Sequence, residues 1–428
     1  MMPASTLKIA TLAIAAHHLG WDDRFTTNLL SNGRVKEGVL HGDLVVRGSG
    51  DPTIVNGVLT SWARALRALG IHRITGRVVG DDHIVLGHTD RHDNTQPSFG
   101  TGWSWDDLAL GYAAPVGPLQ YRENVVEIRI EPNRSAGLPA RVTLKTPGSA
   151  LTLINQVTTA VPTEPSVVLL RRAPGAHTLV ISGQIAVGSD AIKRSASVHN
   201  PTRFLVQALR VALEQEGVVV DGPAVDIDQV PEEERSNTDA GLRMLVQHQS
   251  EPLSTIAVDM MKRSQNLYAE SVIQRLGVML CNNGCTGQTI VSRALAKWGI
   301  GRSRAIVADG SGLSRYNYMS ASALADLLAR LHENLKDRNL FLATLAVAGK
   351  DGTLRNRLAG TPAADNARAK TGSMSQVRSL AGFVRTADGE QLAFAILANN
   401  FSVDAVDVTQ AIDSVITALA TLSRSPTQ

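Results

Sequence analysis

Three short patterns, each occurring once in 428 residues, restrict the fold more than any other feature: Ser5-Thr6-Leu7-Lys8, Ser264-Gln265-Asn266 and Lys370-Thr371-Gly372. A serine hydroxyl is a poor nucleophile until a neighbouring base takes its proton, and Lys8 shares a helical face with Ser5 at i, i+3. An amine serves as that base when burial or nearby positive charge depresses its pKa. Lys8 is the candidate base and Lys370 the candidate source of positive charge. That pairing requires the first residues to fold against the last third of the chain. Within the 259-residue interval from Ser5 to Ser264, a strand-rich region reads as inserted material. A chain of this length also exceeds one typical domain.

Local patterns agree with this plan. Pro3-Ala4-Ser5 opens a helical pattern through Ile9, Leu12, Ala13 and Ala16 that stops at Gly20. Strand-like segments at 24–30 and 38–47 are joined through Ser31-Asn32-Gly33. Leu59, Trp62, Ala63, Leu66 and Leu69 have helical spacing before Gly70. Strand patterns follow at 125–130, 142–145, 167–170 and 178–181, then a helix at 202–216 and a strand at 218–220. Pro231-Glu232-Glu233-Glu234-Arg235-Ser236-Asn237 reads as a charged, turn-forming linker. Beyond it come helices at 253–262, 267–276, 291–298 and 321–331, then strands at 367–371, 380–386 and 391–399. The last two strands meet across Asp388-Gly389, a hairpin signal. A closing amphipathic helix carries Val408, Ile412, Val415, Ile416 and Leu419.

Composition excludes some classes. With 43% apolar and 19% charged residues the chain falls in the ordinary globular range. The net charge of +3 is spread without a basic run, which argues against nucleic acid as a partner. No stretch reaches the ~18 to 20 apolar residues of a membrane-spanning helix. Cys281 and Cys285 frame a turn-rich segment that fits a small disulfide loop or two free thiols; a metal site ranks third, since no histidine lies nearby. Met1 to Ala16 has a second reading as a short signal peptide, with Lys8 ahead of an apolar run, but the run is brief and broken by Thr11.

Taken together, the three patterns resemble the set found in penicillin-binding proteins and class A β-lactamases. Longer strings narrow the resemblance: Gly48-Ser49-Gly50-Asp51-Pro52-Thr53, Ser264-Gln265-Asn266-Leu267-Tyr268-Ala269-Glu270, Asp309-Gly310-Ser311-Gly312-Leu313-Ser314-Arg315 and Ala348-Gly349-Lys350-Asp351-Gly352-Thr353-Leu354-Arg355. These resemble the class C low-molecular-mass penicillin-binding proteins, the D-alanyl-D-alanine carboxypeptidase/endopeptidase family. The resemblance implies an α+β fold: a β-lactamase/transpeptidase-like domain of helices packed on an antiparallel sheet, interrupted by two smaller inserted, β-rich domains. The expected boundaries are 1–25 with 240–428 for the catalytic domain, 26–52 with 125–239 for one insert, and 53–124 for a second, α/β insert.

The same resemblance assigns roles. Ser5 is the nucleophile and Lys8 its base; the backbone N–H groups of Ser5 and Ser373 meet the oxyanion. Ser264 relays a proton to the leaving amine, while Asn266 binds the substrate amide and orients Lys8. Lys370 and Thr371 hold the terminal carboxylate, and Gly372 lets it approach the strand. Gly310 and Gly312 read as residues that permit an unusual backbone path. Within Trp103-Ser104-Trp105-Asp106-Asp107, Asp107 fits either the free amine of a diaminopimelate-type side chain or a solvated acidic loop.

The expected partners are peptidoglycan peptides as substrates and β-lactams as covalent inhibitors. No cofactor and no metal are expected. The chemistry belongs in the periplasm, although no convincing export signal is visible. Family members carry several tens of residues, sheet strands included, ahead of the nucleophile. With Ser5 so near the start, an unpaired sheet edge behind K-T-G and a loosely held Ser5 are expected. Two alternatives stand beside this reading. A β-lactamase relative lacks its Glu-x-x-Leu-Asn segment here, and a catalytically impaired peptidoglycan-binding or scaffold protein conflicts with the complete motif set.

Overall fold

The computed structural model describes residues 1–83, 99–146, 149, 151–173, 175–239, 241–281, 285–333 and 335–424. It divides into two units: Met1–Arg24, Gly100–Trp103 and Glu251–Gln428 form one, Phe25–Phe99 and Ser104–Ser250 the other.

In the first unit a 3₁₀ turn, Ala4–Leu7, leads into the helix Lys8–Leu19, which Gly20 ends at φ 86°. Every residue from Lys8 to Ala16 is buried, as for a helix surrounded by protein on all sides. The apolar run that resembled a signal peptide is therefore a core helix, packed on Asn266–Leu280 and Gly287–Lys297. The antiparallel sheet runs in the order Ala346–Val347, Arg368–Met374, Val377–Arg385, Gln391–Asn399. Helix Ala405–Thr421 lies on it, burying Ile412 and Ile416 in the cluster that holds Leu380, Val384 and Phe394. Each such side chain contributes about 1.5 to 3 kcal/mol on burial.

Two features of this sheet matter for the site. The short strand Ala346–Val347 pairs with Ala369 and Arg368, so among the described residues no strand covers the outer edge of 371–374. At the far side, Gln391–Asn399 has no strand partner on its outer edge among the described residues. Ser5, however, is not loosely held. Met319 N donates to Met1 O (2.9 Å) and Met2 N to Asn399 Oδ1 (2.7 Å). Asn399 Nδ2 donates to Met2 O (3.1 Å) and Ser379 Oγ to Pro3 O (2.6 Å). These bonds tie each residue before the nucleophile's turn to the sheet or to the short strand Tyr318–Met319.

The second unit is β-rich. Its five-stranded sheet runs Ala224–Asp226, Val78–Asp81, Leu44–Gly48, Thr26–Ser31, Arg243–Gln249, and its four-stranded sheet runs Val219–Val220, Arg73–Ile74, Val39–His41, Arg34–Lys36. Residues 125–197 supply two three-stranded sheets. Helices Asn56–Ala68 and Pro201–Gln215 pack together, with Trp62 and Phe204 in a core shared with Leu29, Ile128 and Ile181.

This pairing redraws the expected boundaries. Leu44–Gly48 pairs in parallel with Val78–Asp81, so segments assigned to different inserts share one ladder. Arg243–Gln249 pairs with Thr26–Ser31 and leaves the catalytic segment for this unit. The charged linker is instead a helix, Glu232–Asp239, with three glutamates in its first turn, where the helix dipole favours negative charge. Cys281 and Cys285 form a disulfide.

Candidate active site

The i, i+3 spacing of Ser5 and Lys8 brings Lys8 Nζ to 3.0 Å from Ser5 Oγ. The same Nζ donates to Asn266 Oδ1 and to the Ser311 carbonyl, both at 2.7 Å. Lys8 is fully buried, and burial pushes its ammonium from 10.5 down to about 7 against the pull of the Asp309 and Glu270 carboxylates. Near neutrality a large share of Lys8 is therefore an uncharged amine with two N–H groups and one lone pair. Amide and carbonyl oxygens only accept hydrogen bonds. Asn266 and Ser311 consume both N–H groups, so the lone pair is left to face the Ser5 hydroxyl.

Lys370, also fully buried, donates to Ser264 Oγ and to the Thr371 carbonyl, both at 2.7 Å. Burial, then the charge of Lys8, lowers its ammonium well below the usual value. Ser264 sits between the helices Leu253–Lys262 and Asn266–Leu280 with φ 60°, a left-handed conformation rare outside glycine. That bend presents Ser264 to Lys370 and Asn266 to Lys8 within three residues. The Thr371 hydroxyl donates to Thr353 Oγ1 (2.8 Å), on the turn Gly352–Leu354.

Gly372 has a reason beyond substrate approach. A Cβ there would lie 2.1 Å from Ser379 Oγ, 2.8 Å from Pro3 O and 3.0 Å from Ser5 N. On another side, Gly312 (φ +85°) would place a Cβ 1.9 Å from Ala4 O. The Ala4-Ser5 turn is thus pressed between two glycines, one on the strand and one on the loop. Gly312 bears out the expected unusual backbone path.

A family model described as the D-Ala-D-Ala carboxypeptidase 3 (S13) family matches residues 1–422. The chain belongs to this family. Among S13-like relatives, D-alanyl-D-alanine carboxypeptidase DacB of Haemophilus influenzae is 30% identical over 408 residues, covering 94% of this chain and 81% of the relative. The D-alanyl-D-alanine carboxypeptidase of an Actinomadura species is 30% identical over 415 residues, covering 94% and 74%. The crystal structure of penicillin binding protein 4 (dacB) from Haemophilus influenzae matches with a TM-score of 0.83 at 27% identity, over 99% of this chain and 92% of that one. The same protein complexed with a β-lactam matches with a TM-score of 0.78 at 26% identity, over 99% and 91%. The α+β, transpeptidase-like fold expected from the sequence is the fold of these S13-like structures.

In this S13 chain the first unit brings together Ser5, Lys8 and Asn266, and likewise Ser264, Lys370 and Thr371, with Gly372 against the Ser5 amide. Ser373 follows on the same strand and is exposed. Asp107 lies in the second unit, half-buried, and accepts a hydrogen bond from the Tyr112 hydroxyl (2.6 Å). Sequence reasoning missed Ser311 and Glu270. Ser311 acts through its carbonyl, which no residue type announces. Glu270 did leave a signal: it is a carboxylate on the otherwise apolar face Leu267, Tyr268, Ala269, Val272, Ile273, one turn after Asn266.

Proposed function

We propose that this S13 D-alanyl-D-alanine carboxypeptidase works through a Ser5 acyl-enzyme. The neutral Lys8 amine takes the Ser5 proton as Oγ attacks the carbonyl of the penultimate D-alanine. The backbone N–H groups of Ser5 and Ser373 meet the developing oxyanion; the close approach of Gly372 to Ser5 N supports that pairing. Ser264, bonded to Lys370, passes a proton to the departing amine, and D-alanine leaves. Asn266 binds the substrate amide, while Lys370 and Thr371 hold the terminal carboxylate, with Gly372 clearing its path. Water then hydrolyses the ester and restores Ser5. A β-lactam acylates Ser5 by the same attack, but its leaving group stays tethered and deacylation stalls.

One observation carries this reading: Lys8 Nζ lies 3.0 Å from Ser5 Oγ and its other partners are acceptors alone. Asp107 is assigned to a free amine on the substrate's side chain, a peptidoglycan stem peptide, and the enzyme acts in the periplasm. Cleavage of a cross-link needs the same steps with a different leaving amine, so endopeptidase activity belongs to the same site.

The test is D-alanine release from a peptide ending in D-alanyl-D-alanine, by the wild type and by Ser264→Ala. The reading expects turnover by the wild type and a loss of at least about 100-fold in the variant. Equal turnover by both would remove Ser264 from the proton path. A folded wild type that releases no D-alanine from stem peptides or cross-linked dimers would overturn the function.

A further inference from the structure

The loop from Asp309 to Ser314 takes no step in the chemistry above, yet it is wound around two buried carboxylates. Glu270 is 4% exposed; its Oε1 accepts from Gly310 N (3.0 Å) and Ser311 N (2.7 Å), its Oε2 from Gly310 N (3.1 Å). Asp309 is fully buried and accepts from Gly312 N (2.8 Å), Ser314 N (2.6 Å), Asn317 Nδ2 (2.7 Å) and Trp103 Nε1 (2.9 Å). From the central helix, Thr11 Oγ1 donates to the Gly310 carbonyl (2.7 Å). The product of this construction is the position of one atom, the Ser311 oxygen, which accepts from Lys8 Nζ.

We propose that Glu270 is a positioning residue for acylation: its carboxylate clamps the Gly310-Ser311 backbone so that the Ser311 carbonyl aims the Lys8 lone pair at Ser5. A neutral amine is aimed only while both of its N–H groups are held, and Glu270 holds the backbone that carries one of the two acceptors. One helix face therefore supplies both, Asn266 directly and Ser311 through Glu270 four residues on. Burying carboxylates is expensive, and a loop can be fixed by neutral side chains at lower cost. Here the charges fall beside the one lysine that has to titrate.

Three charged groups couple to Lys8: Glu270 on its helix and Asp309 on the loop both favour its ammonium, while the charge of Lys8 lowers the ammonium of Lys370 on the strand. Burial, then Asp309, also pushes the Glu270 carboxyl up to about 8, so Glu270 and Lys8 titrate as a coupled pair.

This inference rests on the roles given above to Ser5 and Lys8, and its test separates the two. The wild type acylates in every arm, whereas failure of those roles would appear as a wild type that never labels at Ser5. The experiment measures acylation by a fluorescent penicillin from pH 5 to 9 in the full chain and in Glu270→Gln, resolving the acylation rate constant from non-covalent binding. The variant is expected to lose about tenfold or more in the rate constant, with binding within about twofold. Its acid limb is expected to move from the wild-type position, because the variant lacks a group that titrates together with Lys8. A wild-type rate and limb would overturn the proposal. So would a rate constant and binding that fall together with the limb unmoved, the pattern of a merely structural defect. Should Glu270→Gln fail to fold, Thr11→Val loosens the same loop without removing charge. There the expectation is a slower rate constant with the limb in place, and a wild-type rate overturns the proposal.

Discussion

A lysine works as a base only when it has lost its proton, and burial brings that loss for Lys8 to about pH 7. Acylation by penicillin should therefore rise through neutrality and level off above it; a profile flat from pH 5 to 9 would contradict the assignment. The same shift has a consequence for stability. The folded pKa is depressed from 10.5 to about 7, so between those values the unfolded chain binds a proton that the folded chain does not. Stability from this group therefore rises with pH across that window. Lys8→Met should abolish acylation and flatten the rise in melting temperature between pH 7 and 9; an unchanged slope would count against a buried, shifted lysine. At this scale the grouping of Ser5 with Lys8 and Asn266, and of Ser264 with Lys370, was legible from residue type and spacing. Ser311 was not, since every residue has a carbonyl, and a glutamate such as Glu270 is usually a surface residue.

Among the elements, the Lys370 strand meets the nucleophile's turn in a joint with no room for a side chain at Gly372. Gly372→Ala forces a Cβ to within 3.0 Å of Ser5 N and closer still to Ser379 Oγ, so the turn or the strand must shift. Displacement of about 1 Å costs on the order of 100-fold in rate. Gly372→Ala should lose about that much acylation while keeping its circular dichroism spectrum, and near-normal labelling would show that the joint has slack. The Cys281–Cys285 disulfide closes a loop of few residues after the helix Asn266–Leu280, and the entropy removed from the unfolded chain grows with loop length. Reduction should leave acylation within about twofold; a larger loss would tie the end of that helix to the position of Asn266. Elements with clear periodicity were legible, Leu253–Lys262 and Gln391–Asn399 to the residue. Leu335–Thr344 was missed because its apolar residues follow no face, and Thr152–Ala160 because it is mostly exposed and gains its place by parallel pairing with the distant Thr178–Ala186.

For the whole molecule, the fold class was readable because the three motifs and the longer strings around them resemble those of a known family. The boundaries were not, because parallel pairing of Leu44–Gly48 with Val78–Asp81 joins segments that look separate in sequence. The catalytic motifs all belong to the first unit and Asp107 to the second. If Asp107 reads the substrate's free amine, Asp107→Asn should weaken kcat/KM for amine-bearing stem peptides by about tenfold and leave acylation by benzylpenicillin unchanged. Equal effects on both would assign Asp107 a structural role through Tyr112. The central claim, that the chain acts through an ester on Ser5, is tested most directly by treating it with penicillin and locating the added mass by peptide mass spectrometry. The account predicts one adduct, on the peptide containing Ser5, and none in folded Ser5→Ala; an adduct on another residue, or persistence in the variant, would contradict it.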